Sequence, residues 1–293
     1  MYEAFYNFQE KPFSLLPDSD FLYLGKRHQE ALSLLEYGLM QGASMVLITG
    51  EIGCGKTTLV RRLIRNQDLD MIVGNITNTH QTFGELLKWV MLAFGLDFRD
   101  RDKVELYRDL VGFLQTKYQQ GKRVTLIIDE AQNLSAEALE ELRMLSNINV
   151  DKEQMLQIIL VGQPELRHTL VRPDLRQLTQ RIGVDYYLDS MNPQETLEYI
   201  RHRVQVAGGR SDLFDIEAIR EIYVNSNGVP RLINTICDTA LVYGYAEQAT
   251  TIQKEIIDEV VRDKSEGHIL PLFKDNGFVH GGVDTEARHV TIG

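Results

Sequence analysis

The sequence predicts an α/β domain, a mainly parallel sheet flanked by helices, followed by a small all-α subdomain. Three observations carry this. Up to Asp189, short apolar strands alternate with amphipathic helices, the pattern of βα units. The stretch "RVTLIID" is nearly all apolar, as a strand covered on both faces should be. After Asp189 only helical periodicity remains.

Residues 1–44 read as an N-terminal linker and a first helix. Phe5, Tyr6, Phe8, Pro12, Phe13 and Pro17 make the approach aromatic and proline-rich. Two readings stay open for it: a wall of an adenine pocket on the α/β domain, or ordinary core packing. In "HQEALSLLEYGLMQG" apolar residues recur at i, i+3, i+4, and Gly42 ends the helix.

Residues 45–190 are the α/β core. "SMVLIT" is a buried strand, and "KTTLVRRLIRNQ" is a helix that starts inside a glycine loop. Its Arg61, Arg62 and Arg65 read as a solvated face. "DMIVGNIT" is the second strand. "TFGELLKWVMLAFGL" and "VELYRDLVGFLQTKYQQG" are amphipathic helices. "RVTLIIDEAQ" is the third strand, "SAEALEELRMLSNI" a helix and "MLQIILVGQ" the fourth strand. "PELRHTLVRPDLRQLTQRI" holds one or two helices and "GVDYYLD" the fifth strand.

Residues 191–264 form a helical lid of four helical stretches, "NPQETLEYIRHRVQVAGG", "DIEAIREIYVNSNG", "PRLINTICDTALVYGYAEQ" and "QKEIIDEVVRD". Residues 265–293 are glycine-rich and without periodicity, so a disordered tail is expected. The tail holds three of the seven histidines, and scattered polar residues are the expected reading over a metal site.

Net charge is −11 and the isoelectric point about 5.2, which argues against a surface coated with phosphate-binding cations. Cys54 and Cys237 are too few for a disulfide framework, and no CxxC pair suggests structural zinc. A reducing compartment fits. "MYEAFYNFQEKPFS" has no basic region leading into an apolar core, so no secretory signal is expected. No apolar run approaches the ~20 residues that span a bilayer, so no integral membrane segment is expected. A cytoplasmic location follows, with partners recruiting the protein to the inner membrane.

The stretch "GEIGCGKTT" carries the strongest chemical signal. It fits G-x-x-x-x-G-K-[ST], with a strand before it and a helix after it. Gly50, Glu51, Ile52, Gly53, Cys54, Gly55, Lys56, Thr57 and Thr58 would cradle ATP. The glycines let several backbone N–H groups face one anion, and the helix N-terminus adds its positive end. Lys56 would reach the outer phosphates, and the Thr57 hydroxyl would ligate Mg²⁺. Cys54 stands at a variable position and reads as incidental. The partner motif lies 73 residues after Lys56. There Asp129 and Glu130 end an apolar strand, at the sheet edge where α/β proteins bind ligands. Asp129 would hold Mg²⁺, and Glu130 would orient and polarise the attacking water.

Three later features narrow the class. Gln163 ends the strand "LVGQ", suited to the γ-phosphate region from beside the catalytic strand. Arg176 and Arg181 precede the last strand, and Arg231 starts a helix of the lid. Each has a plain alternative: a turn cap for Gln163, surface ion pairs for Arg176 and Arg181, a helix-start contact for Arg231. Together they resemble sensor 1, arginine finger and sensor 2 of an AAA+ ATPase, a P-loop NTPase fold. That resemblance implies a homo-oligomer in which Arg181, or else Arg176, completes a neighbour's site.

The stretches "MYEAFYNFQEKPFSLLPDSDFLYLGKRHQEALSLLEYGL", "GEIGCGKTTL", "IIDEAQNLS", "LQIILVGQPEL" and "LRQLTQRI" closely resemble the general secretion pathway protein A family of AAA+ ATPases, over roughly residues 1–264. Within it the chain is most similar to the short ATPases of exosortase (PEP-CTERM) exopolysaccharide loci. The longer secretion proteins continue into a transmembrane helix and a peptidoglycan-binding region, and nothing of that kind is expected after Asp263. Gln163 stands where other AAA+ proteins commonly have asparagine. The resemblance implies ATP hydrolysis that drives or regulates a cell-envelope secretion, polysaccharide-export or protein-sorting assembly, with membrane-associated partners. The alternative is a transposition-type regulator that polymerises on DNA with ATP. It needs a basic stripe, so the acidic charge makes nucleic acid the less expected partner. A third reading, a scaffold that binds ATP without turning it over, ranks lower because Glu130 is present.

Overall fold

The computed structural model describes residues 1–16, 21–65, 71–77, 85–150 and 153–266. The expected tail lies outside the described residues from position 267 on. The chain divides into two compact units. One comprises Lys26–Ile52 and Lys56–Asp189. The other comprises Met1–Gly25, Gly53–Gly55 and the residues from Ser190 onward. The segment expected as one N-terminal linker and helix is therefore shared between the two units.

The α/β unit opens with helix α2 (Lys26–Met40), which follows a short α1 (Tyr2–Phe5) belonging to the other unit. Gly42, at φ +72°, ends α2 in the left-handed region that favours glycine. Then come β1 (Met45–Thr49), α3 (Lys56–Ile64), β2 (Met71–Ile76), α4 (Leu86–Ala93), α5 (Lys103–Gln119) and β3 (Arg123–Ile128). After a 3₁₀ turn follow α6 (Ala136–Leu145), the strand pair β4 (Asn149–Val150) and β5 (Glu153–Gln154), β6 (Leu156–Gly162), α7 (Pro164–Leu170), α8 (Arg176–Thr179) and β7 (Ile182–Tyr187). The small antiparallel β4–β5 pair was not expected from the sequence.

The five main strands run in the order β2-β3-β6-β1-β7, and every pairing is parallel. Parallel strands need crossover helices, and these cover the sheet faces. All five residues of β1 are buried, as are five of the six in β3 and all seven in β6. One core layer packs Leu126, Ile128, Ile158 and Leu160 with Leu106, Leu110 and Leu114 of α5 and Leu139 and Leu142 of α6. Helix α5 starts at a capping box in which Asp102 and Glu105 bond reciprocally to each other's backbone N–H.

The second unit holds α9 (Pro193–Val206), α10 (Ile216–Ser226), α11 (Pro230–Ala246) and α12 (Lys254–Glu266). Its core includes Ile200, Val204, Ile219, Ile222, Ile233, Ile236, Leu241 and Ile257. Tyr2, Tyr6, Phe8, Phe13 and Phe21 are buried in that same core, so these aromatics pack with the helices. Arg203 fastens this segment. Its guanidinium is buried and donates to the Pro12 carbonyl at 2.5 Å and the Tyr199 hydroxyl at 2.9 Å. It also lies 5.0 Å from the Phe21 ring centroid, in cation–π range. Tyr199 passes the chain of bonds to Asn234 Oδ1 at 2.8 Å. Between α10 and α11 stands Gly228, at φ +71°, where an added Cβ would fall 1.8 Å from the Met191 carbonyl oxygen. Among the described residues no helix is long and apolar enough to cross a membrane.

Candidate nucleotide site

The site is built where strands end and helices begin. β1 stops at Thr49 and α3 starts at Lys56, and between them Gly53 and Gly55 take φ +82° and +100°. Only glycine enters that region without strain, and successive turns of this kind aim N–H groups inward. The first N–H groups of α3 have no partner within the helix, so they add to the same concavity. Lys56 is buried; its Nζ donates to the carbonyls of Gly50 (2.7 Å) and Glu51 (2.8 Å). Cys54 is fully buried in the loop.

The acidic pair meets the loop as the sequence predicts. Asp129 N–H donates to the Ile76 carbonyl at 2.9 Å, which holds it at the end of the sheet. The Thr57 hydroxyl donates to Asp129 Oδ2 at 2.8 Å. A hydroxyl and a carboxylate converging in this way are hard oxygens of the kind that ligate Mg²⁺. The left-handed glycines and the N-terminal end of α3 fit polyphosphate. The residues present therefore fit ATP and Mg²⁺.

Glu130 departs from ordinary backbone. It sits at φ 54°, ψ 38°, which costs a non-glycine residue about 1–2 kcal/mol. It opens the 3₁₀ turn Ala131–Asn133. Its Oε2 accepts two amide N–H groups, from Gln163 Nε2 at 3.0 Å and from Gln132 Nε2 at 2.6 Å. Gln163 reaches it because β6 pairs with β3. Gln163 is the N-cap residue of α7, yet its side chain makes no capping bond; the turn-cap alternative gives way to a bond with Glu130.

The arginines are arranged differently. Arg176 is exposed at the start of α8, and Arg181 is half-buried just before β7. Among the described residues neither makes an ion pair, so that alternative loses its support. Arg231 lies in the first turn of α11, and its backbone N–H donates to the Gly53 carbonyl at 3.3 Å. Arg61, Arg62 and Arg65 are exposed, as a solvated face should be.

Two residues escape the sequence reading. Gln132 bonds Glu130 and, through its Oε1, accepts the Gln163 backbone N–H at 3.0 Å. Arg167 of α7 donates to the Thr49 hydroxyl beside the loop and to Asp185 of β7. Gln132 was visible as the last letter of "DEAQ". Arg167 was visible only as a residue one turn beyond Gln163.

The loop, the acidic strand end and the strand inserted between them have the arrangement of an AAA-type P-loop NTPase fold. Comparison with known proteins agrees: the family model described as "AAA domain" matches residues 39–170. The chain is similar to general secretion pathway protein A from Aeromonas hydrophila, with 40% identity over 247 residues. That match takes in 84% of this chain and 45% of the relative, so the chain spans about half the length of that protein. Among solved structures, the ORC2 protein of Aeropyrum pernix is similar at TM-score 0.67 and 16% identity, covering 90% of this chain and 74% of that one. Cdc6p from Pyrobaculum aerophilum gives 0.64 and 14%, covering 87% and 75%. A RuvB variant of Thermotoga maritima gives 0.54 and 21%, covering 85% and 73%. At such identities these likenesses show the fold alone.

Proposed function

We propose that the chain binds ATP with Mg²⁺, hydrolyses it, and uses the cycle to drive or regulate a cell-envelope secretion, exopolysaccharide-export or protein-sorting assembly. The observation that carries the chemistry is the convergence of Thr57 with Asp129 and of Glu130 with Gln163 at the ends of neighbouring elements. Lys56 and the loop N–H groups from Gly50 to Thr58 hold phosphate oxygens. Thr57 and Asp129 hold the metal ion, which supplies charge neutralisation to the phosphates. Glu130 orients the attacking water and accepts its proton. Gln163 and Arg231 are assigned to sensing the γ-phosphate. Arg181, with Arg176 as the second candidate, is assigned to the site of a neighbouring copy.

The envelope role rests on the 40% identity to a general secretion pathway protein, and the link to exosortase loci on sequence resemblance. Membrane-associated export proteins are the partners this implies, with the chain itself cytoplasmic and recruited to the inner membrane. A DNA-bound transposition-type regulator is the competing reading, and the net charge of −11 weighs against it. The test is ATP turnover of the purified protein and of Glu130→Gln, with and without duplex DNA, with assembly followed by light scattering. DNA-independent turnover lost in the variant, with ATP-dependent assembly, is expected. Strong stimulation by DNA with filament growth would move the protein to the competing class.

A further inference from the structure

Gln132 is the best-connected side chain of the site that the hydrolytic scheme leaves without a task. Both ends of its amide are committed. The donor end gives an N–H to Glu130 Oε2 at 2.6 Å, and the acceptor end takes the Gln163 backbone N–H at 3.0 Å. Gln163 in turn donates its own side-chain amide to the same Glu130 oxygen at 3.0 Å. The three residues close a ring across two neighbouring strands, from the end of β3 to the end of β6. Space for this is kept by Gly162, where an added Cβ would lie 3.1 Å from Gln132 Oε1 and 2.7 Å from Leu166 Cδ2.

From this ring we infer that Gln132 is a positioning residue for hydrolysis: it fixes the Glu130 carboxylate and ties it to the start of α7, so that Glu130 and Gln163 move as one. The inference rests on the proposed ATPase reading. Two amide donors on one oxygen restrict the rotation of the Glu130 carboxylate about its side-chain torsions. The acceptor end has a second effect. A shift of Gln163 toward or away from a phosphate is transmitted through its backbone N–H to Gln132, and so to Glu130. Misplacing a reacting group by about 1 Å costs about a hundredfold in rate, so loss of the donor acts on turnover and not on nucleotide binding.

Two substitutions separate positioning from a merely structural tie. Gln132→Met keeps the side-chain length and loses both bonds. Gln132→Glu keeps an acceptor for the Gln163 N–H, loses the donor, and sets a like charge against Glu130. The experiment measures kcat and KM for ATP, affinity for a fluorescent ATP analogue, and the thermal midpoint, for wild type, both variants, Glu130→Gln and the double variant Glu130→Gln with Gln132→Met. The expected result is a fall in kcat of about ten- to a hundredfold in both Gln132 variants, at unchanged KM and analogue affinity, and no further fall from Gln132→Met once Glu130 is Gln. Wild-type kcat in Gln132→Glu would overturn the inference and leave Gln132 as a structural tie. Faster turnover in either variant would overturn it in the other direction, making Gln132 a brake. A wild type that does not hydrolyse ATP, or that hydrolyses it no faster than Glu130→Gln, overturns the inference together with the ATPase reading. Active wild type and inactive Glu130→Gln with unaffected Gln132 variants sink the inference alone.

Discussion

The strand ends of the α/β unit and the core of the helical unit hold polar side chains in different ways. At those strand ends partly buried side chains bond to one another: Thr57 to Asp129, and Gln132 and Gln163 to Glu130. Such bonds can be exchanged for a ligand without unravelling any backbone. In the helical unit Arg203, Tyr199 and Asn234 lie 7%, 5% and 6% exposed, in the middle of the core. There Arg203 bonds backbone carbonyls of the N-terminal segment, and exchange would release that segment. On the proposed reading the first set serves reaction and the second cohesion, and substitutions at the two places should be separable by assay.

The sharpest break of that contrast is chemical. Glu130→Gln should lower ATP turnover by about a hundred- to a thousandfold while the urea unfolding midpoint stays at the wild-type value. A matching loss of stability would mean that the site residues are also holding the fold. Next in size is Gly228→Ala. Its Cβ would strike the Met191 carbonyl at 1.8 Å on a left-handed backbone, so a loss of about 3 kcal/mol or more is expected in urea unfolding. An ordinary midpoint would show that this turn yields readily.

Arg203→Met comes third. It keeps much of the apolar stem but abandons the carbonyls of Pro12 and Ser14. A cost of about 2–3 kcal/mol follows, together with faster limited proteolysis ahead of Phe21. Unchanged proteolysis would mean that the aromatics hold the segment without the arginine.

The smallest expected effect is Tyr6→Phe, which removes a bond to the Ala249 carbonyl at 3.1 Å and costs about 1 kcal/mol. This residue also gives the contrast a pH signature. Burial, with Glu247 nearby, pushes the Tyr6 phenol up to about 12. A folded-state value above the unfolded one means a contribution to stability that is fully present below about pH 10 and is lost as pH rises through about 12. The wild-type unfolding midpoint should therefore fall over that window more steeply than that of Tyr6→Phe. Parallel slopes would place the Tyr6 hydroxyl in contact with water.

Much of this was legible in the sequence. Helical and strand periodicity located every long element, because periods of 3.6 and 2 record which face is buried. The loop and the acidic strand end were recognisable because their chemistry constrains residue type at fixed spacing. The sequence reading also set the strand ending at Gln163 next to the one ending in Asp129, and β6 does pair with β3. What escaped depends on contacts between distant residues. Gln132 looks like any turn residue until Gln163, 31 positions later, is beside it. The aromatics of residues 2–21 are apolar enough to suit either unit. Their burial with α9–α12, and the buried Arg203 that bonds the Pro12 carbonyl, show which unit holds them.

That last feature has a consequence for synthesis. The helical unit is assembled mainly from Met1–Gly25 and the residues from Ser190 onward. On a ribosome the N-terminal aromatics emerge well before α9 exists to receive them. At about 5–20 residues per second, the roughly 170 residues between Phe21 and Pro193 take on the order of 10–35 seconds to make. The whole α/β unit can form in that interval while Tyr2, Tyr6, Phe8 and Phe13 wait in contact with water or a chaperone. Codon usage and chaperone supply upstream of position 193 should therefore govern the yield of folded protein more than the same factors downstream.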